Sequence, residues 1–175
     1  MSATLVAGVG NVLFGDDGFG VEVARHLLRA GPPPGAIVAD YGISGLQLAF
    51  DLCSGFDLVV LVDAVGSGHP PGTVTLLDLS DPRIPAGLDA HGMRPDAVLD
   101  LVATLGGHLE RVLMIGCQPA EIEPRIGLSA PVAAAVAPAA RLVRSVLEKA
   151  ATSPGAGSGA GAGPRTPTLA PPAKE

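Results

Sequence analysis

The sequence predicts an α/β fold, a three-layer α/β/α sandwich around a mostly parallel, twisted sheet of about five strands. Short apolar runs rich in β-branched residues alternate with helix-like stretches, and such runs are typical of strands buried on both faces. Parallel neighbouring strands require crossover helices of this kind, which are right-handed. Residues 1–150 carry the pattern and are enough for one domain with a single core.

The first half of the chain supplies three strands and two helices. TLVAGV at 4–9 is a continuous apolar run and predicts the first strand. Gly18 to Ala30 follows as a helix because its apolar residues recur at helical spacing. Ala36 to Asp40 is a short second strand, followed by a helix from about Gly45 to Cys53. DLVVLVD at 57–63 is the most strongly apolar strand, so we place it in the centre of the sheet.

The second half supplies the remaining two strands and two helices. GTVTLLD at 72–78 alternates apolar and polar residues, which is typical of a strand nearer an edge. A helix from Pro95 to Leu105 precedes the strand Arg111 to Cys117. Ser129 is placed to cap a last helix that reaches about residue 150, and Pro138 should kink that helix.

Composition sets the remaining boundaries. Residues 151–175 are rich in Gly, Ala and Pro, so we expect a disordered tail that joins no core. A net charge of −6 without a block of Lys or Arg disfavours nucleic acid and anionic membranes as partners. No apolar run approaches the roughly 20 residues of a membrane span, and no basic leader precedes the first strand. The sequence predicts a cytoplasmic monomer with two buried thiols, Cys53 and Cys117.

Three ionisable residues follow predicted strands. Ligands of open α/β sheets sit beyond the carboxyl ends of the strands. Asp17 follows the first strand, Asp63 ends the most apolar one, and His91 stands in a later polar loop. Two carboxylates and one imidazole with open positions suit a borderline divalent transition metal. The sequence therefore predicts a cation site formed by these three residues.

The first loop, GVGNVLFGDDG at 8–18, also invites comparison with nucleotide sites. A Rossmann fingerprint would place its third glycine where Leu13 stands. Two glycines have P-loop spacing, but Asp16 and Asp17 replace the Lys and the Ser or Thr that hold phosphate and magnesium. Dinucleotide binding stays an alternative because Asp40 follows the second strand, where a ribose-binding acid would stand.

Each candidate residue also has a purely structural explanation. Asp16 or Asp17 would cap the helix that follows, which aspartate does well. Asp63 would cap a helix or accept hydrogen bonds from a loop, and His91 would be solvated. The residues alone therefore indicate an α/β protein with a cation site and leave its activity open.

A set of motifs, taken in order, resembles the hydrogenase maturation proteases. These endopeptidases trim the C-terminal extension of the nickel-iron hydrogenase large subunit. The similarity covers about residues 4–148. Its motifs are Gly8-Val9-Gly10-Asn11, Gly15-Asp16-Asp17-Gly18, Asp40-Tyr41-Gly42 with Gly45-Leu46, Val62-Asp63-Ala64-Val65, Pro71-Gly72-Thr73, His91 and Gly127-Leu128-Ser129.

The resemblance implies a role for each candidate residue. Asp17, Asp63 and His91 would be the metal ligands, and they would engage nickel that the large-subunit precursor already carries, so the substrate supplies the metal. The substrate groove would be lined by four consecutive residues of the loop after the second strand, Gly42, Ile43, Ser44 and Gly45.

The catalytic mechanism stays open in the resemblance. The candidate catalytic residues are Asp17, Asp63 and Asp16, with either nickel polarising the scissile carbonyl or a carboxylate serving as general base. Many members read Asp-Gly-Gly-Thr where this chain reads Asp40-Tyr41-Gly42-Ile43. Ile43 lacks the hydroxyl of the threonine at that position. That departure leaves a non-catalytic, nickel-sensing maturation chaperone of the same fold as an alternative.

Overall fold

The computed structural model describes residues 3–80 and 95–152, and the predicted succession of strands and helices is confirmed over these residues. Most predicted ends are met within one or two residues, which is the ordinary uncertainty of element boundaries. The elements are β1 (Thr4–Val9), a 3-10 helix (Gly15–Gly18), α1 (Phe19–Arg29), β2 (Ala36–Gly42), α2 (Gly45–Leu52), β3 (Leu58–Ala64), β4 (Val74–Asp78), α3 (Pro95–Thr104), β5 (Val112–Cys117) and α4 (Ala130–Thr152).

The sheet has the strand order β2-β1-β3-β5-β4. β1 pairs in parallel with β2 and β3, and β3 pairs in parallel with β5, whereas β4 runs antiparallel to β5 at one edge. The central position predicted for β3 and the edge position predicted for β4 are therefore both confirmed. The four parallel strands have their carboxyl ends on the same side of the sheet, and ligands of such sheets bind beyond these ends.

Two helices cover each face of the sheet, so the three-layer architecture is confirmed. Val60 and Val62 of β3 point into a core shared with α1 and α4. Val59 and Leu61, which alternate with them, point into a second core shared with α2 and α3. Every residue of β3 is buried, as its continuous apolar run requires.

Helix α4 is long and apolar enough to cross a membrane by length and composition. By that measure the expectation that no segment approaches such a span is wrong. Val132, Ala139 and Val143 bury one face of α4 in the core that it shares with α1 and β3. This packing accounts for the apolar composition of the helix, which continues through Pro138.

The two cysteines differ in burial. Cys117 ends β5 and is buried, and burial, together with the nearby charge of Asp16, raises the pKa of its thiol to about 12. Cys53 is only half-buried, so the expectation of two buried thiols is confirmed for one of them. The expected start of the tail at residue 151 is wrong by two residues, because α4 continues to Thr152, and the rest of the tail lies outside the described residues.

Candidate active site

Gly10 is the point at which the loops after β1, β2 and β3 meet. Its N–H donates to the carbonyl oxygen of Gly42 at 2.9 Å. It has a φ of +134°, and a side chain at this position would overlap the carbonyl oxygen of Asp17. The same Cβ position lies 3.6 Å from Oδ1 of Asp63. The absence of a side chain here lets the two predicted aspartates and the β2–α2 loop converge.

Asp17 lies in the 3-10 helix and is 3% exposed. Its Oδ2 accepts a hydrogen bond from the backbone N–H of Asn11 at 2.9 Å, which closes the first loop on itself. Helix α1 has Gly18 at its capping position and receives no side-chain cap. The alternative in which Asp16 or Asp17 caps α1 is therefore wrong.

Asp63 is the penultimate residue of β3 and is 1% exposed. Its Oδ1 accepts a hydrogen bond from the N–H of Ala64 at 2.8 Å, and its buried Oδ2 has no hydrogen-bond partner among the described residues. Burial and, second, the negative charge of Asp17 raise the pKa of Asp63 well above its usual value. A carboxylate in this position requires a proton or a cation.

Asp16 is also fully buried, but unlike Asp63 it has hydrogen-bond donors on both of its carboxylate oxygens. Oδ1 accepts from the N–H of Ser129 at 2.6 Å, and Oδ2 accepts from Ser129 Oγ and from the N–H groups of Ala120 and Glu121 at 2.8 to 3.0 Å. Burial alone would raise the pKa of Asp16, but these hydrogen bonds outweigh it and lower the pKa. Asp16 is thus held ionised by donors from the loop after β5.

The loop between β2 and α2 is braced on both sides. Asp40 Oδ1 accepts from the N–H of Gly42 at 3.0 Å, and the N–H of Ser44 donates to the Tyr41 carbonyl at 2.9 Å. The Tyr41 hydroxyl donates to Asp51 Oδ2 at 2.8 Å, and burial, with the bond to Asp51, raises the pKa of that hydroxyl. This bracing presents Ile43 outward with 70% of its surface exposed.

Asp40 does not have the surroundings of a ribose-binding acid. Its Oδ2 accepts from Arg25 Nε at 3.2 Å while its Oδ1 holds the backbone of its own loop. Both oxygens therefore serve the β2–α2 loop and the adjoining helix α1.

Large apolar side chains are exposed on the loops around Gly10 and on α2. Composition and spacing do not indicate this exposure, because an apolar residue in a sequence is equally compatible with a place in the core. They are Leu13 and Phe14 in the first loop, Ile126 in the loop after β5, Ile43, and Leu46 and Phe50 on α2. A contiguous patch of exposed apolar side chains is typical of a surface that receives another protein, whereas single exposed apolar residues are common on any surface.

His91 lies between residues 81 and 94, outside the described residues, so its part in the predicted metal site stays a prediction. Within residues 3–80 and 95–152, no group of three His, Cys, Asp or Glu residues has the arrangement of a metal site. The structure thus brings Asp17 and Asp63 together and places Asp16 with the β5 loop.

Known proteins share this fold and these motifs. The sequence model of the family described as hydrogenase maturation protease matches residues 21–146. The chain belongs to this family. It is 34% identical over 152 residues to the hydrogenase expression/formation protein HupD of Rhodobacter capsulatus, covering 81% of this chain and 71% of that one. It is 29% identical over 150 residues to the hydrogenase 2 maturation protease of Escherichia coli, covering 83% and 90%.

The structure of this maturation protease agrees with a solved relative. It superposes on the hydrogenase-maturating endopeptidase HybD from Escherichia coli with a TM-score of 0.72 and 28% identity, covering 86% of this chain and 94% of that one. The chain is therefore a peptidase with the α/β fold of its family. The dinucleotide-binding and non-catalytic alternatives receive no support from these relatives.

Proposed function

We propose that this maturation protease removes the C-terminal extension of a nickel-iron hydrogenase large-subunit precursor, and that Asp17, Asp63 and His91 engage nickel carried by that precursor. The observation that supports the proposal is the Asp63 carboxylate. It is 1% exposed, its Oδ2 has no hydrogen-bond partner in the described part of the chain, and it lies beside a second carboxylate. A divalent cation would satisfy both acids at once.

The donor set fits nickel as part of the substrate rather than as a resident cofactor. Two carboxylate oxygens and one imidazole nitrogen suit a borderline divalent metal but leave its coordination incomplete. A precursor that brings both the metal and further ligands completes it, so affinity comes from two linked contacts. A nickel-free precursor lacks this contact, and the protease thereby discriminates between nickel-loaded and nickel-free precursors.

The carboxylates divide the chemical work by their surroundings. Nickel in the precursor would supply Lewis acidity at the scissile carbonyl. In the metal-free protein the raised pKa of Asp63 suits it to take up a proton, which is the property of a general base. Asp16 is occupied by four donors, so we assign no proton transfer to it.

The substrate groove is assigned to the loop Gly42 to Gly45. The carbonyl oxygen of Gly42 accepts a hydrogen bond from the N–H of Gly10, so this loop lies next to the two aspartates and is placed to contact a bound polypeptide. Ile43 projects from it and favours an apolar segment of the precursor. A monomeric, cytoplasmic enzyme with no nucleic-acid or membrane partner stays a prediction from composition.

The experiment that tests this function is a comparison of two forms of one precursor. Wild-type protease is incubated with nickel-loaded and with nickel-free large-subunit precursor, and the C-terminus is then identified by mass spectrometry. We expect a shortened C-terminus in the loaded precursor alone. Equal cleavage of both forms would contradict the nickel contact, and cleavage of neither would contradict the proposed substrate.

A further inference from the structure

We propose that Asp16 is a positioning residue, which fastens the loop after β5 to the first loop and thereby fixes Asp17 opposite Asp63. This inference rests on the proposed function, because it concerns the same site. It assigns Asp16 a part in catalysis that requires neither contact with the substrate nor a transferred proton.

The fastening consists of four hydrogen bonds to one buried carboxylate. Three are donated by backbone N–H groups, of Ala120 and Glu121 just after β5 and of Ser129 just before α4, and the fourth by the Ser129 hydroxyl. Asp16 is separated from these donors by more than a hundred residues of sequence. Hydrogen bonds to an ionised carboxylate are shorter and stronger than neutral ones, so this contact dominates the junction.

Backbone hydrogen bonds also join the first loop to the loop after β5. The N–H of Gly15 donates to the carbonyl of Arg125 at 2.7 Å, and the N–H of Asp16 donates to the carbonyl of Glu121 at 3.1 Å. The N–H of Arg125 donates in return to the carbonyl of Leu13 at 2.9 Å. The segment from residue 13 to residue 16 is therefore held along its whole length by the loop after β5.

Asp17 is the next residue, and its orientation follows from this anchor. Asp16 is tied to the loop after β5, whereas Asp17 Oδ2 accepts from Asn11 at 2.9 Å on the side of the first loop. Gly10 closes the remaining space, since its Cα lies against the Asp17 carbonyl oxygen. Because the loop after β5 holds Asp16, and the first loop holds Asp17 itself, Asp17 keeps one position relative to Asp63. Catalytic groups held in this way lose rate steeply when they shift by about 1 Å.

The matched control is Asp57, which performs the same kind of fastening far from the site. Asp57 Oδ2 accepts from the N–H of Ala3 at 2.6 Å and joins two distant parts of the chain. It directly precedes β3, at the amino end of this strand, whereas Asp63 lies near its carboxyl end. Asp57→Asn therefore removes the charge of a carboxylate that joins distant segments and leaves the loops around Asp17 intact.

The test measures folding and catalysis in the same variants. Wild type, Asp16→Asn, Ser129→Ala and Asp57→Asn are compared by thermal unfolding, by kcat and KM on nickel-loaded precursor, and by the pH dependence of kcat. For folded Asp16→Asn we expect kcat to fall about 100-fold with KM changed less than about threefold, and the pH profile to keep its shape. Ser129→Ala removes one of the four donors and should lose about tenfold in kcat. Asp57→Asn should lose melting temperature but keep kcat.

Three results would overturn the inference. If Asp16→Asn and Asp57→Asn lose similar melting temperature and both keep kcat, then Asp16 serves stability alone. If Asp16→Asn removes one limb of the pH profile, then Asp16 transfers a proton itself. If Asp16→Asn does not fold, an unchanged kcat in Ser129→Ala decides against positioning. A wild-type protein that fails to cleave loaded precursor overturns the proposed function, and this outcome is separate because it precedes any variant.

Discussion

Replacing Asp63 by asparagine should stabilise the free protease at neutral pH while abolishing its activity. Asp63 lies in a fully buried strand and carries a buried oxygen without a hydrogen-bond partner among the described residues. Asparagine has nearly the same shape, keeps an oxygen for the N–H of Ala64, and removes the charge that faces Asp17. Most substitutions in a core destabilise, so the expected sign is diagnostic.

The magnitude follows from the cost of an unsatisfied buried polar group. A buried polar group without a partner costs about 1–3 kcal/mol when it is neutral and more when it is charged, and asparagine keeps the polar group but removes the charge. We therefore expect Asp63→Asn to raise the free energy of unfolding by about 2 kcal/mol at neutral pH, which for a domain of this size corresponds to a rise of about 4–8 °C in Tm.

The pH dependence of this gain has a definite sign. A carboxyl whose pKa is raised on folding stabilises the fold below its unfolded pKa, near 3.8, and this contribution is lost as pH rises through the folded pKa. Asp63→Asn lacks this dependence. The difference in Tm between variant and wild type should therefore be large at pH 8 and should vanish as the pH approaches 4.

The assay is thermal unfolding followed by circular dichroism between pH 4 and pH 8 in the presence of a chelator. The chelator is needed because a bound divalent cation would stabilise the wild type by mass action. Asp57→Asn is the control, since it removes the charge that strengthens the hydrogen bond from the N–H of Ala3 and should melt below the wild type. A lower Tm for Asp63→Asn at pH 7, or a difference that does not change with pH, would refute the reasoning.

Three further predictions concern the loops around the aspartate pair. Gly10→Ala places a methyl group against the Asp17 carbonyl oxygen, at a residue whose φ is +134°. We expect cleavage to be lost and the free energy of unfolding, measured with urea, to fall by about 1–3 kcal/mol. Tyr41→Phe removes the hydrogen bond to Asp51, and we expect a loss of about 1 kcal/mol and a small rise in KM, from unfolding and steady-state kinetics. Ile43→Asp places a charge on the exposed tip of the substrate loop and should raise KM about tenfold with little change in Tm.

Matched controls exist for two of these variants. Gly68 also has a positive φ, +73°, but an added Cβ would meet nothing within 4 Å, so Gly68→Ala should keep cleavage. Leu105 is 45% exposed at the end of α3, and Leu105→Asp should leave KM unchanged. Equal effects of target and control would remove the specific role assigned to Gly10 or to Ile43.

The strands and the Asp17–Asp63 convergence could be predicted because they depend on local patterns. A continuous apolar run predicts a buried strand, and parallel strands place their carboxyl ends at one edge. Asp63 ends such a run, so its position beside Asp17 followed from sheet geometry alone. The fold class and the order of elements were predictable for the same reason.

The role of Asp16 could not be predicted, because its partners are distant in sequence. Local reasoning offered helix capping, which is the common use of aspartate before a helix. The donors belong to the loop after β5, more than a hundred residues away. Similarly, the replacement of glycine by Tyr41 looked like a departure from the family pattern, but its hydroxyl braces the loop through Asp51.

The measurement that tests the central claim most directly is cleavage of nickel-loaded precursor by variants of the aspartate pair. Wild type, Asp17→Asn, Asp63→Asn and Asp57→Asn are compared in a time course, with the precursor C-terminus identified by mass spectrometry. Wild type and Asp57→Asn should yield the shortened precursor, whereas both site variants should fold and yield none. Cleavage by Asp17→Asn and Asp63→Asn at the wild-type rate would contradict the assignment of the site to these two residues.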